Sequence, residues 1–294
     1  MSHLMDEIAS QPECWAKAIE LAASAGAALP APGERAAVIG CGSSLNVARC
    51  YAVLREAAGQ GETDAFPASE VPPTRHYDHM VYVSRTGTTT EVLDALRRAP
   101  AGIRTTAITA DPGSPLIQAA GAVVLLDFSA ERSVVSSRFI TSAIVLLRAH
   151  LGEDLRALPD GAARELTTPL PPGLADHREF TFLGRGWAYG IAQEAALKLR
   201  EAVTDWTESY PTMEYRHGPI SIAAPGRVTW HFGPGGEQLR AEVAATGALF
   251  VAHDDDPQVD LIRVQRVAVV RAQRRGLDPD QPRHLTRAVV LSPR

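Results

Sequence analysis

The sequence predicts an α/β fold in which parallel sheets are flanked by helices, present in two copies along the chain. Short apolar runs alternate with Ala- and Leu-rich runs of helical spacing. This alternation is typical of parallel strands joined by helical crossovers. The run 38–42 (VIGCG) matches the run 182–186 (FLGRG), and one residue later in register the triplet REA recurs at 55–57 and 200–202. A period this long indicates two domains of one fold.

The elements of each copy follow in a regular order. In the first copy we predict strand 36–39, helix 45–58, strand 81–83, helix 92–99, strand 105–108, helix 114–120, strand 122–126 and helix 136–151. In the second copy, strand-like runs lie at 182–183, 227–231 and 249–251, and a helix is predicted over 191–203. A stretch rich in Pro and Gly at 160–172 predicts the boundary. We therefore expect a first domain over residues 1–165, with an N-terminal helix, and a second over 166–294.

The loop at residues 84–90 (SRTGTTT) is the strongest functional signal in the chain. It lies between an apolar strand and a helix with acids first and bases last. The first amides of a helix lack intrahelical partners and the dipole there favours an anion, so a phosphate suits this position. Gly87 lets the backbone approach closely, and the hydroxyls add donors. The alternative is that Thr88 caps the helix and Glu91 completes a capping box.

The second copy differs from the first in the residues that carry chemistry. Its loop at 232–237 (FGPGGE) keeps the glycines but has no hydroxyl side chain, so we expect one phosphate site per chain. The run 184–190 (GRGWAYG) allows a dinucleotide interpretation, and 253–256 (HDDD) allows a cation site. The loose glycine spacing and the solvated position of the acids argue against both.

Three charged residues lie on one face of the helix predicted over 191–203. Glu194, Lys198 and Glu201 are spaced four and then three residues apart, which places them together. They form either a solvated stripe of ion pairs or a site in which Glu201 acts as a general base. His217 lies in a loop fixed by a following Gly-Pro pair. It is either structural or a proton-transfer group.

Composition and charge argue against several classes of function. The 29 basic and 34 acidic residues give a net charge of -5, which argues against nucleic acid as the main partner. No apolar run approaches the length of a membrane span, and the first residues lack the pattern of a signal peptide. The three cysteines have no CxxC spacing, so neither a disulfide framework nor a zinc site is predicted. We expect a cytoplasmic protein that uses no metal and no cofactor.

Taken together, the motifs resemble the sugar isomerase (SIS) domain family, and most closely the isomerase half of glutamine–fructose-6-phosphate amidotransferase. The resemblance covers nearly the whole chain. It rests on residues 40–44, 84–90, 131–139, 182–186, 194–201, 214–219 and 277–285. It implies two tandem flavodoxin-like SIS domains and a homodimer with sites at the subunit interface.

The resemblance also implies roles for individual residues. Glu201 matches the acid that moves a proton between the first two sugar carbons, and Lys198 matches a lysine of the same site. His217 matches the histidine that opens the sugar ring and reaches across to the neighbouring subunit. The residues matched to the sugar-phosphate pocket are Gly42, Ser43, Ser44, Ser84, Arg85, Thr86, Thr89, Glu131, Val134 and Ser136.

Two residues depart from the family pattern. Arg85 replaces the usual glutamine, and Arg287 stands where the family's isomerase has a lysine that forms a Schiff base with the open-chain sugar. A guanidinium stays protonated and cannot form an imine, so we expect Arg287 to bind substrate without synthase-type chemistry. No glutaminase domain precedes the matched region, and we expect that glutamine is not the nitrogen source.

The sequence therefore predicts an enzyme that acts on a hexose- or hexosamine-6-phosphate. It would interconvert aldose and ketose forms, or deaminate an amino sugar with release of ammonia. The alternative function is a non-catalytic sensor of a sugar phosphate. In both cases the expected partner is a small-molecule sugar phosphate, with no nucleic acid and no membrane.

Overall fold

The computed structural model describes residues 2–292. Within that range the helices are α1 (His3–Ala9), α2 (Gln11–Ala25), α3 (Ser43–Ala57), α4 (Thr90–Arg97), α5 (Pro115–Ala119), α6 (Arg138–His150), α7 (Leu158–Thr167), α8 (Ala188–Val203), α9 (Glu237–Ala245) and α10 (Pro257–Arg274). The strands are β1 (Ala36–Gly40), β2 (Thr63–Pro67), β3 (His79–Val83), β4 (Arg104–Thr109), β5 (Ala122–Leu125), β6 (Glu179–Gly184), β7 (Trp206–Pro211), β8 (Arg227–Phe232) and β9 (Leu249–Ala252).

The strands form two parallel sheets, which confirms the predicted fold class of parallel sheets flanked by helices. The first sheet has the order β2-β1-β3-β4-β5, and the second has the order β7-β6-β8-β9. All neighbouring strands in both sheets run parallel. The second sheet thus repeats the order of the first four strands of the first sheet.

The sequence pattern missed one strand in each sheet. β2 (TDAFP) and β7 (WTESYP) lie at sheet edges and carry polar residues and a terminal proline. Proline is tolerated on an edge strand, but such a strand lacks the continuous apolar run that identifies the central ones. The stretch at 160–172, which we predicted to be the boundary between the two domains, is not all loop, because α7 occupies much of it.

The chain divides into two compact units. The first-sheet unit comprises Ser10–Arg132, Ser136–Pro159 and the tail after Leu285, and the second-sheet unit comprises the residues before Ser10, Ser133–Val135 and Asp160–Leu285. In the first-sheet unit α2 packs against α6, and in the second-sheet unit α8 packs against α10. Each unit has its own apolar core of fully buried side chains. No helix within residues 2–292 is long and apolar enough to cross a bilayer.

One glycine in each unit brings a helix close to the end of a central strand. A Cβ on Gly40 would lie 2.6 Å from the backbone carbon of Ser44, and a Cβ on Gly184 would lie 2.2 Å from the Ala188 carbonyl oxygen. Contacts this short leave no room for a side chain. The first turns of α3 and α8 therefore start directly against the ends of β1 and β6.

Candidate functional site

The predicted phosphate loop lies at the topological switch point of the first sheet. The chain passes from β1 out to β2 and then returns to β3 on the other side of β1. In open parallel sheets, ligands bind in the crevice outside the carboxyl ends of the two strands where the order reverses. The loop after β1 supplies Gly42, Ser43 and Ser44, and the loop after β3 supplies Ser84, Thr86 and Thr89.

The hydroxyls of the loop after β3 are bonded within the loop and do not cap α4. The Ser84 hydroxyl oxygen accepts a hydrogen bond from the Gly87 amide at 3.2 Å, and the Thr88 hydroxyl donates to the Thr86 hydroxyl at 2.9 Å. α4 begins at Thr90, and its N-cap residue Thr89 makes no side-chain capping bond. The capping interpretation based on Thr88 therefore does not describe this loop.

Gly87 has a positive φ of 60° and lies against the segment before α5. A Cβ at this position would lie 2.3 Å from the Ser114 Oγ, whereas a Cβ on Gly102, with a φ of 83°, would meet no atom within 4 Å. We expect Gly87→Ala to lower the free energy of unfolding by about 1–3 kcal/mol more than Gly102→Ala, because both introduce backbone strain but only the first adds a clash. Urea denaturation measures both losses. Equal losses would show that the loop has room for a side chain.

Arg85 forms a buried ion pair inside the first-sheet unit. Its Nη1 lies 2.8 Å from Glu131 Oε2, and the two residues are 8% and 3% exposed. The same carboxylate accepts hydrogen bonds from the Ser136 hydroxyl at 2.7 Å and the Ser137 amide at 2.6 Å. Burial alone would raise the pKa of Glu131, but the Arg85 guanidinium and these donors hold the pKa below its ordinary value of 4.5.

The C-terminal tail lies on this part of the first-sheet unit. Arg85 Nη2 donates to the Arg287 carbonyl at 3.2 Å, and the exposed Arg287 guanidinium donates to the Glu131 carbonyl. Further along, the Thr90 amide at the start of α4 donates to the Val289 carbonyl at 3.0 Å. The first amides of a helix favour an anion, and here one of them, the Thr90 amide, is bonded to a carbonyl oxygen of the tail.

These contacts show how the structure places the remaining pocket residues. Arg85, Glu131, Ser136 and Arg287 come together in the first-sheet unit. Val134 lies in the second-sheet unit, where its amide donates to the Asp280 carbonyl at 3.0 Å. Contact of these residues with a sugar phosphate stays a prediction.

Helix α8 brings Glu194, Lys198 and Glu201 together, as their spacing predicted. Lys198 Nζ lies 3.2 Å from Glu194 Oε1 and 2.7 Å from Glu201 Oε2. The interpretation as a solvated stripe is wrong, because Glu194 and Lys198 are each 1% exposed. The side chain of Glu201 is 22% exposed, so it is the one member of the three with access to solvent.

The charge state of Lys198 follows from its two partners. Burial lowers the pKa of Lys198, but the carboxylates of Glu194 and Glu201 outweigh burial and hold the pKa above its ordinary value of 10.5. The side chain is therefore an ammonium at neutral pH. It can stabilise the Glu201 carboxylate and hold it in one orientation, but it is not a free amine that could attack a carbonyl.

The other candidate residues of the second-sheet unit lie in loops. His217 is exposed and ends a short 3-10 turn, in which its amide donates to the Glu214 carbonyl at 2.9 Å. In the acidic run at 253–256, the Asp256 carboxylate caps α10 and Asp255 pairs with Arg263 at 3.0 Å. Within residues 2–292 no group of three His, Cys, Asp or Glu side chains is placed to hold a metal ion.

Two features of the first-sheet unit were not found from the sequence. The Arg85–Glu131 pair joins residues 46 positions apart, and the bond from the Leu291 amide to the Thr90 hydroxyl joins residues 201 positions apart. No local spacing or motif signals contacts at such separations.

Comparison with known proteins shows that the chain is similar to several phosphosugar enzymes. No family model matches the chain. It is 29% identical to the glutamine–fructose-6-phosphate aminotransferase (isomerizing) of Gloeobacter violaceus over 318 residues, which cover 88% of this chain and 52% of the relative. The enzyme of the same name from Xylella fastidiosa is 30% identical over 268 residues, covering 72% of this chain and 44% of the relative. The chain spans about half the length of the curated relatives that it matches first.

Solved structures of similar fold cover almost the whole chain. A glucosamine-6-phosphate deaminase from Thermotoga maritima has a TM-score of 0.81 and 26% identity, and the match covers 99% of this chain and 100% of that one. A tagatose-6-phosphate ketose/aldose isomerase from Escherichia coli has a TM-score of 0.79 at 17% identity and covers 99% and 97%, which shows a shared fold. The chain therefore has the α/β fold of the SIS phosphosugar isomerases, and it resembles the isomerase domain of the aminotransferase.

Proposed function

We propose that the protein is a phosphosugar-binding enzyme of the isomerase type, which acts on a hexose- or hexosamine-6-phosphate. The observation that carries this proposal is the buried Glu194–Lys198–Glu201 cluster, in which only Glu201 reaches solvent. The names of the similar proteins support the substrate class, because they act on fructose 6-phosphate, glucosamine 6-phosphate or tagatose 6-phosphate.

The proposed phosphate anchor is the crevice between the loops after β1 and β3. Its contributors are the hydroxyls of Ser43, Ser44, Ser84, Thr86 and Thr89. Because the charge of Arg85 is paired with Glu131, the exposed guanidinium of Arg287 is the cation that we assign to the phosphate or to an additional anionic group. Glu131 and Ser136 position Arg85 and complete the pocket, and Val134 lines the sugar.

The proposed chemistry is proton transfer between adjacent sugar carbons. His217 protonates the ring oxygen and opens the ring. Glu201 removes the proton from the carbon next to the carbonyl and returns it to the neighbouring carbon, with Lys198 holding the carboxylate in one orientation. Anchoring the phosphate supplies binding energy remote from the reacting carbons, and this energy contributes to catalysis. With an amino sugar, the same proton transfer gives an imine at the carbon that carries the nitrogen, and addition of water to this imine releases ammonia and leaves the ketone.

We also propose that the two sheets are tandem SIS domains, with a boundary near residue 165. The shared strand order and the equivalent glycines at positions 40 and 184 support this assignment. From the family resemblance we propose a cytoplasmic homodimer in which His217 reaches the site of the neighbouring subunit.

A panel of sugar phosphates tests the function. The purified protein is incubated with hexose and hexosamine 6-phosphates in D2O, and NMR follows aldose–ketose interconversion, deuterium incorporation and ammonia release. We expect turnover of at least one member, with deuterium entering at the reacting carbon. Binding of a member without turnover or exchange of any would instead support the sensor function.

A further inference from the structure

A basic cavity in the second-sheet unit is not used by the proposed reaction. It has a volume of about 490 Å³ and lies at the edge of the second sheet where β6 and β7 begin. The four arginines and two aspartates leave a formal excess of two positive charges, in a chain whose net charge is -5. The charged residues that line the cavity are Arg178, Arg271, Arg274, Arg275, Asp176 and Asp205.

The topology of the second-sheet unit brings these residues together. β6 and β7 are paired in parallel from their first residues, so Arg178 and Asp205, which directly precede them, lie at the same edge. The last turn of α10 carries Arg271 and Arg274 to this edge. Ligand sites of parallel sheets normally lie at the edge where the strands end. The cavity lies at the edge where the strands of its sheet begin, whereas the loop after β3 lies at the end of a strand.

Hydrogen bonds and ion pairs hold part of the cavity wall in place. Arg271 is 4% exposed, its Nε donates to Asp205 Oδ2 at 2.7 Å, and its Nη1 donates to the Ala175 carbonyl at 2.6 Å. Arg275 Nη1 donates to Asp205 Oδ1 at 2.7 Å. Side chains held in this way lose little rotamer freedom when a ligand binds.

Several guanidinium donors of the wall have no acceptor among residues 2–292. Arg178 makes no hydrogen bond or ion pair with any part of the chain that the structure describes. Arg274 donates to Asp176 through Nη1 alone, and the contacts of Arg275 with the described residues also use Nη1 alone. The remaining N–H groups are available to an anion.

We propose that this cavity is a second anion site, which binds the phosphate group of a small phosphorylated metabolite. Guanidinium forks match phosphate oxygens in a bidentate manner, and the excess of two charges suits a dianion. The volume lies within the range of roughly 300–1,000 Å³ that is usual for small-molecule pockets, so the ligand is larger than phosphate itself. None of the residues that line the cavity is assigned to the sugar phosphate, so an effector bound here does not use the residues of the proposed reaction.

Calorimetric titration with inorganic pyrophosphate at constant ionic strength tests the proposal. The full chain carries Thr86→Val and Thr89→Val, which remove two hydroxyls of the proposed phosphate anchor and so weaken pyrophosphate binding there. We expect one binding event per chain, weakened at least about tenfold by Arg178→Gln and further by Arg274→Gln. Arg156→Gln, which removes an exposed arginine paired with Asp154 in the other unit, is the matched control and leaves binding unchanged.

The outcomes separate this site from the proposed function. Absence of pyrophosphate binding in the loop variant would overturn the second site, and so would binding that Arg178→Gln and Arg274→Gln leave intact. Neither result bears on turnover of the sugar phosphates. A failed sugar-phosphate panel with intact pyrophosphate binding would leave the second site standing.

Discussion

Replacement of Glu201 by glutamine is expected to lower turnover of the sugar phosphate by about 10²–10⁴-fold, the usual contribution of a general base. Glutamine keeps the size of the side chain and can still accept a hydrogen bond from Lys198, but it cannot take up a proton. The proposed phosphate anchor lies in the other unit, so the dissociation constant of the sugar phosphate is expected to stay nearly constant. Steady-state kinetics and isothermal titration measure the two quantities separately.

The chain itself provides the control for this variant. Glu56 occupies the position of Glu201 in the repeated triplet REA, and its Oε1 accepts a hydrogen bond from the Thr63 amide at 2.9 Å. We expect Glu56→Gln to leave turnover unchanged, because the amide oxygen of glutamine can accept the same bond. Full activity of Glu201→Gln would remove Glu201 from the proposed role, and equal losses in both variants would indicate a general effect on folding.

The second large effect is a loss of stability, which we expect when the buried Arg85–Glu131 pair is broken. Glu131→Gln leaves the guanidinium of Arg85, which is 8% exposed, without its carboxylate. Removing one partner of a buried pair usually costs about 3–5 kcal/mol, since the other charge stays buried. We expect the double variant Arg85→Gln/Glu131→Gln to lose less stability than the sum of the two single variants, and urea denaturation of all four proteins gives the coupling.

The pH dependence of the same pair follows from the lowered pKa of Glu131. Its stabilising contribution is present in full above the ordinary carboxyl pKa of 4.5 and is lost as the pH falls through the lower folded-state value. The difference in unfolding free energy between wild type and Glu131→Gln should therefore shrink as the pH falls below 4.5. Asp94→Asn, which breaks the exposed pair with Arg97, is the control and should change little at any pH. A coupling energy near zero between Arg85 and Glu131, measured with the two single variants and the double variant, would contradict the ion-pair account.

The central strands and the helices that follow them could be predicted from the sequence, whereas the edge strands β2 and β7 could not. The runs in β1 and β3 are mostly apolar because both faces of these strands are covered. β2 and β7 lie at sheet edges, where a strand tolerates polar residues and proline. Their sequences therefore lack the apolar run that identifies a buried strand. Local pattern therefore identified the central strands and the edge strands β5 and β9, and it missed the edge strands β2 and β7.

The candidate site was predictable where its residues are close in sequence. The spacing of Glu194, Lys198 and Glu201 predicted that they share a face of α8, because helix geometry alone decides this. It did not predict that Glu194 and Lys198 are buried, since burial depends on the packing of α8 against α10. The tail contacts on α4 depend wholly on the folded chain.

Deuterium incorporation into a hexose 6-phosphate by the wild-type protein in D2O tests the central claim most directly. Proton transfer between adjacent carbons through a solvent-accessible carboxylate predicts deuterium at the carbon next to the carbonyl, with slower incorporation in Glu201→Gln. A sugar phosphate that binds tightly, as measured by titration, yet gains no deuterium would contradict an isomerase-type reaction and would establish the protein as a binding protein.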